Sequence, residues 1–229
     1  MILRSLVLVL ALVCGGAGAD DLMARRARAC TGCHGEQGRA APDGYYPRIA
    51  GKPAAYLYEQ LLAFRDGRRR YALMASLLEP LSDDYLHDLA RYFASLDLPY
   101  APPRPALDDA ATLARGRQLV TQGDAARQVP ACAACHGERL TGVLPAVPAL
   151  LGLPRDYLNA QLGAWRLGAR QARAPDCMAD IARRLGDGDI GALSAWLSAQ
   201  PVPDRAAPAD ALPRAMPLRC AVAASVKQP

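Results

Sequence analysis

Cys30-Thr31-Gly32-Cys33-His34 and Cys132-Ala133-Ala134-Cys135-His136 decide how this chain is read, because one five-residue pattern occurs twice. Cys-x-x-Cys-His is the attachment signal of a c-type haem. Two intervening residues let one turn of backbone present both thiols to one porphyrin edge, where each can add to a vinyl group. The adjacent histidine then offers an imidazole nitrogen to the iron. Both copies continue into Gly-Glu, at Gly35-Glu36 and Gly137-Glu138. A zinc site would want four clustered ligands, and a redox dithiol would want a βαβ setting. Neither accounts for a histidine directly after each cysteine pair.

Outward from the two motifs, a repeat covers most of the chain. Pro47 and Pro148, Gly51 and Gly152, Tyr56 and Tyr157, and Gln60 and Gln161 each stand 101 positions apart. A second register of 104 joins Met74 to Met178, Leu81 to Leu185, Leu89 to Leu193 and Tyr92 to Trp196. Identities in register over this length point to duplication of a one-haem domain. The matched methionines are candidate sixth ligands, since a neutral thioether favours ferrous iron. The alternative is that they fill core. His87 is the only histidine outside the motifs, and its counterpart is Gly191, so it is expected to face solvent. Cys177, beside Met178, is a rival sulfur ligand.

The N-terminus, Met1 to Ala19, has the pattern of an export signal: Arg4, an apolar stretch from Leu6 to Val13, and small residues Ala17 and Ala19. The apolar stretch is too short to span a bilayer. A lipoprotein signal on Cys14 and an uncleaved anchor are the competing readings. Export places the protein in the periplasm, where two spare thiols, Cys177 and Cys220, suggest a disulfide that ties the C-terminal tail back. Two unrelated thiols are the alternative.

The formal charge of +5 falls to about zero once Arg4 leaves and two haems bring four propionates. A nucleic-acid partner therefore has little electrostatic support. Local arginine runs remain, Arg25, Arg26 and Arg28, then Arg65, Arg68, Arg69 and Arg70. They read as solvated faces, or as groups that steer an acidic redox partner or pair with propionates.

The fold class expected is all-α. Helices are expected from Asp21 to Ala29, Ala54 to Asp66, and from Ser82 as N-cap. In the second half they are expected over Asp109 to Gln122, Asp156 to Leu167 and Asp187 to Ser198. The domain plan is a signal over 1–19, domains over 20–98 and 109–200, a Pro-rich linker over 99–108, and a Pro/Ala-rich tail over 201–229 lying on the surface.

With these motifs in hand, the chain resembles the dihaem cytochrome c4 family, two class I cytochrome c domains in tandem. The resemblance runs over roughly Asp20 to Gln200. It implies two covalently bound haem c groups with iron ligands His34 and Met74, and His136 and Met178. It implies that the Pro47 and Pro148 carbonyls accept the proximal imidazole N–H. It also implies that Tyr92 and Trp196 pack the last helix of each domain across the first. Gly116 fits that crossing in domain two, and domain one offers only Ala24 or Ala27. The function implied is single-electron transfer between redox proteins, towards a terminal oxidase. The alternatives are the dihaem subunit of a periplasmic dehydrogenase, such as a sulfide-oxidising flavocytochrome, or an enzyme in its own right, a dihaem peroxidase or thiosulfate dehydrogenase. Association with a membrane is expected only through a partner.

Overall fold

The computed structural model describes residues 18–41 and 44–221. Nearly all of the expected signal, Cys14 included, lies outside the described residues, as does the tail from 222 onward. Among the described residues the chain forms α-helices and isolated bridges, with no extended strand.

Among the described residues each half has five α-helices in one order. The first half runs α1 (Gly18–Arg26), α2 (Arg28–His34), α3 (Ala54–Arg65), α4 (Ala72–Leu78) and α5 (Asp83–Ser95). The second runs α6 (Ala110–Thr121), α7 (Ala133–His136), α8 (Arg155–Arg166), α9 (Cys177–Arg184) and α10 (Asp189–Ser198). Local chemistry starts several of them. Ser82 accepts the Tyr85 amide at α5, Asp109 the Thr112 amide at α6, and Asp176 the Ala179 amide at α9, each satisfying an orphan first-turn donor.

Besides the motif segments α2 and α7, two helices were not expected from the sequence, α4 and α9. Both are short, seven and eight residues, too short for a helical period to stand out. They carry Met74 and Met178. The expected helix from Asp21 to Ala29 is instead broken at Ala27, and the motif's own residues form α2. Ala27 is buried against Leu89, Ala90 and Phe93, while Ala24 is exposed. The close approach in domain one therefore falls at the break.

In domain two α6 crosses α10 at Gly116. A β-carbon there would lie 2.1 Å from the Ala192 carbonyl oxygen and 2.8 Å from the Trp196 Cβ. Only glycine lets the backbones approach so closely. Around this crossing Leu119, Val120, Leu193 and Leu197 join Leu140, Leu151 and Leu158 in one apolar core. Domain one has two smaller clusters, one around Leu57, Leu89 and Phe93 and one of Leu62, Leu78 and Leu86.

The halves meet through equivalent segments. Arg69 and Arg170 form an antiparallel bridge, flanked by Arg70 N–H to Ala169 O at 2.9 Å and Gln171 N–H to Arg68 O at 2.8 Å. The linker is fastened rather than free. Buried Arg48 donates to the Leu98 and Pro99 carbonyls and lies 3.9 Å from the Tyr100 ring centroid. Over its described residues, 201–221, the tail follows domain two without helix, and Cys177 and Cys220 are joined in the expected disulfide.

Candidate functional site

Both pentapeptides end a helix at their histidine, with glycine following in a positive-φ conformation, Gly35 at +76° and Gly137 at +84°. The turn brings a proline carbonyl from the next loop onto each ring. His34 Nδ1 lies 2.8 Å from Pro47 O, and His136 Nδ1 lies 2.8 Å from Pro148 O. A carbonyl can only accept, so Nδ1 carries the proton and Nε2 keeps its lone pair. Burial pushes both imidazoles below their usual range, against the pull of the proline carbonyls. Arg69 acts in the same direction on His34, and Lys52 on His136. Two neutral imidazoles of fixed tautomer result.

Cys30, Cys33, Cys132 and Cys135 take part in no disulfide, which leaves all four sulfurs for attachment. Burial raises Cys30 to about 11 and Cys132 to about 12, with Cys135 also raised. Before attachment Cys30, Cys132 and Cys135 are therefore protonated at neutral pH, the S–H form whose addition across a vinyl group makes the thioether. Among the described residues no group of three or more His, Cys, Asp or Glu gathers to hold a metal ion, so the zinc alternative lacks a ligand set.

Met74 sits on α4 against Leu62, Leu78 and Leu86. Met178 is the second residue of α9, half-buried. Each helix occupies the same place in its domain's order. Cys177 is in the disulfide, which removes it as a rival thiolate. His87 is partly exposed, its ring edge-on to Tyr58 at 5.5 Å.

The run Arg65, Arg68, Arg69 and Arg70 is not one solvated face. Arg65 pairs with Asp83 at 2.7 Å, Arg68 lies by Asp66 and Glu59, and Arg69 is buried. Arg69 donates to Gln60 Oε1 in its own half, and to Gln161 Oε1 and the Tyr157 hydroxyl across the interface. Arg170 mirrors it, donating to Gln161, Gln60 and the Tyr56 hydroxyl. This exchange explains the repeat identities at 56/157 and 60/161, because a pseudo-twofold contact needs the same residues on both sides. Arg69 and Arg170 themselves stand 101 positions apart. That register was the signal available in the sequence.

Lys52, Arg69 and Arg170 are 7, 8 and 4% exposed. Among the described residues none of the three has a carboxylate in ion-pair range, and burial pushes Lys52 down to about 8. Buried cations without anions are costly. The indole N–H of Trp165, beneath Arg170 at 3.7 Å, is likewise buried without a partner. Haem propionates are the anionic acceptors such a cluster suits. The residues thus fit the group: thiols for the vinyls, Nε2 of His34 and His136 for iron, and Lys52, Arg69, Arg170 and Trp165 for the carboxylates. Bound there, haem supplies an iron that changes oxidation state by one electron.

Fold and sites together define a two-haem c-type cytochrome, a protein of electron transfer. The cytochrome c family profile matches residues 24–97 and 113–200. The chain belongs to the dihaem cytochrome c4 family and carries two covalently bound haem c groups. It is 35% identical to cytochrome c4 of Pseudomonas aeruginosa over 86% of this chain and 96% of that one. It is 39% identical to a thiosulfate dehydrogenase electron acceptor of Thiomonas intermedia, over 77% of this chain and 80% of that one. The crystal structure of reduced cytochrome c4 from Pseudomonas stutzeri matches with a TM-score of 0.68 at 30% identity, over 80% of this chain and 98% of that one.

Proposed function

We propose that this chain is an exported single-electron relay that takes electrons from a thiosulfate-oxidising dehydrogenase and passes them towards a terminal oxidase. The observation that carries the reading is an arrangement that occurs twice. Each domain pairs an imidazole held on a proline carbonyl with a methionine on the equivalent short helix. Met74 and Met178 are assigned as the sixth ligands. An iron saturated from both sides changes charge with little rearrangement and offers no open position for substrate.

The donor assignment rests on similarity to thiosulfate dehydrogenase electron acceptors in Thiomonas intermedia and Stutzerimonas stutzeri. The chemistry suits two haems. Joining two thiosulfates through a new sulfur–sulfur bond releases two electrons, one for each iron. Further support is the disulfide on Cys177, which removes the thiolate beside Met178 that a catalytic haem could have used. No described helix is long and apolar enough to cross a membrane, so contact with an oxidase is assigned to protein docking.

The test mixes oxidised holoprotein with purified thiosulfate dehydrogenase and thiosulfate, and follows the α band of ferrous haem c. Both haems should reduce within the enzyme's turnover time and stay oxidised without the enzyme. Failure to reduce, with rapid reduction by another dehydrogenase, would overturn the donor. Rapid carbon monoxide binding by the native reduced protein would overturn the carrier reading itself.

A further inference from the structure

The C-terminal tail is fixed to domain two at places that bear on both sides of the second haem site. The Arg139 guanidinium donates to Arg205 O at 2.6 Å. Ala209 N–H donates to Gly142 O at 2.9 Å, and Leu144 N–H to Ala209 O at 2.8 Å. Gly142 and Leu144 belong to the loop that delivers Pro148 to His136. The chain then passes Pro217 and Leu218, which line a cleft with Val129 and Pro130 just before the motif. It is then pinned by the Cys177–Cys220 disulfide and by Ala221 N–H to Pro175 O, 3.0 Å.

Met178 needs such a fastening. It is the second residue of α9, in a first turn whose only anchor on the N-terminal side is Asp176, through its carboxylate on the Ala179 amide and its carbonyl on the Asp180 amide; the Met178 N–H itself has no intrahelical acceptor. The lead-in from α8 spans 167–176, and 171–175 are exposed. In domain one the lead-in to α4 is shorter, 66–71, and it is braced differently. Tyr71 OH reaches Tyr46 OH at 3.5 Å, its ring lies 6.1 Å from Tyr45, and Tyr46 stands 6.1 Å from the His34 ring. The aromatic brace thus links the methionine side of the first site to the histidine side. Domain two has Ala146 and Val147 where domain one has Tyr45 and Tyr46, and Pro175 in the place of Tyr71. The tyrosine brace is missing where the disulfide-closed tail is present.

We propose that residues 201–221 are a covalent strap that holds Met178 onto the second haem iron, replacing the Tyr46–Tyr71 brace of the first site. Cys177, Cys220 and Ala209 are positioning residues acting through Met178. The proposal rests on Met178 being that iron's ligand.

The experiment titrates ferric holoprotein with imidazole, which competes for the sixth position, and follows the near-infrared methionine–iron band. In the wild type both haems should show the band. Its absence from one haem there overturns the ligand assignment itself, before any variant is compared. In C177S/C220S one haem should bind imidazole at least tenfold more tightly and lose its band first, while the other is unchanged. Ala209→Pro keeps the disulfide and removes the Gly142 bond, so it should weaken the same haem and gives the answer if the double variant does not mature. Tyr71→Phe should loosen the other haem. Wild-type imidazole affinity in both strap variants, or equal weakening of both haems, overturns the proposal.

Discussion

Replacing Gly116 with alanine tests the geometry on which domain two depends. A β-carbon at this position would sit 2.1 Å from the Ala192 carbonyl oxygen, 2.7 Å from its carbon and 2.8 Å from the Trp196 Cβ. An ordinary carbon–oxygen contact is about 3.3 Å or more, so α6 and α10 must part by roughly 1 Å. A gap of that size forfeits about a quarter to a half of each dispersion contact across the crossing, and forced overpacking typically costs about 1–3 kcal/mol. Two of the three contacts are backbone, so no side chain can rotate away, and the cost falls at the upper end. Alanine returns about 1 kcal/mol of helix propensity. The expected net loss is about 2 kcal/mol, or roughly 8–16 °C in the melting of a domain this size. Thermal and denaturant unfolding of the holoprotein, followed by domain-two signals such as Trp196 fluorescence, measures it. Gly163 in α8 and Gly191 in α10 have open space where a β-carbon would go. Alanine at either should therefore stabilise, by up to about 1 kcal/mol. A G116A protein as stable as G163A would refute the crossing as described.

Other expectations follow from the charge networks and the disulfide. Asp189 joins Arg115 at 2.8 Å, Arg127 at 3.0 Å and the Gly186 amide at 2.7 Å; D189N should cost about 2–3 kcal/mol, at or below the buried-pair range because the arginines are partly exposed. Burial pushes the Asp189 carboxyl up, but the Arg115 hydrogen bonds and the Gly186 amide more than reverse it, and Arg115 likewise holds Asp124 low. Their stabilisation is therefore complete above the unfolded carboxyl value of about 3.9 and lost as pH falls through the lower folded values; acid unfolding of R115M should begin at higher pH than that of the wild type. Lys52→Met removes a buried cation that acts on His136, and loss of an interaction on the order of 1 kcal/mol should lower the second haem's midpoint in a spectroelectrochemical titration, with Lys52→Arg restoring it. Opening the Cys177–Cys220 link, which closes a loop of 43 residues, should destabilise domain two by about 4 kcal/mol on the chain-entropy account, read by denaturant titration of C177S/C220S.

Much of this protein was legible without coordinates because the deciding information is local. Two thiols and an imidazole spaced within one helical turn specify the attachment chemistry wherever the segment folds. The repeat identified duplicated domains, and Ser82 and Asp109 marked helix starts through contacts three residues away. The short helices α4 and α9 escaped because seven or eight residues do not display a period. The break at Ala27 depends on Leu89 and Phe93 arriving from α5.

What only the tertiary structure decided is the environment of charges and sulfurs far apart in sequence. Arg69 reads like its solvated neighbours until Gln161 and Tyr157 close over it from the other half, about 90 residues away. The pairing of Cys177 with Cys220 was already expected from two spare cysteines, but the pressing of the tail on the loop that carries Pro148 depends on the chain returning to itself. Spacing along a chain fixes which groups can react with one porphyrin. Burial, and with it the tuning of each iron, is a property of surfaces that exist only after the two halves have packed.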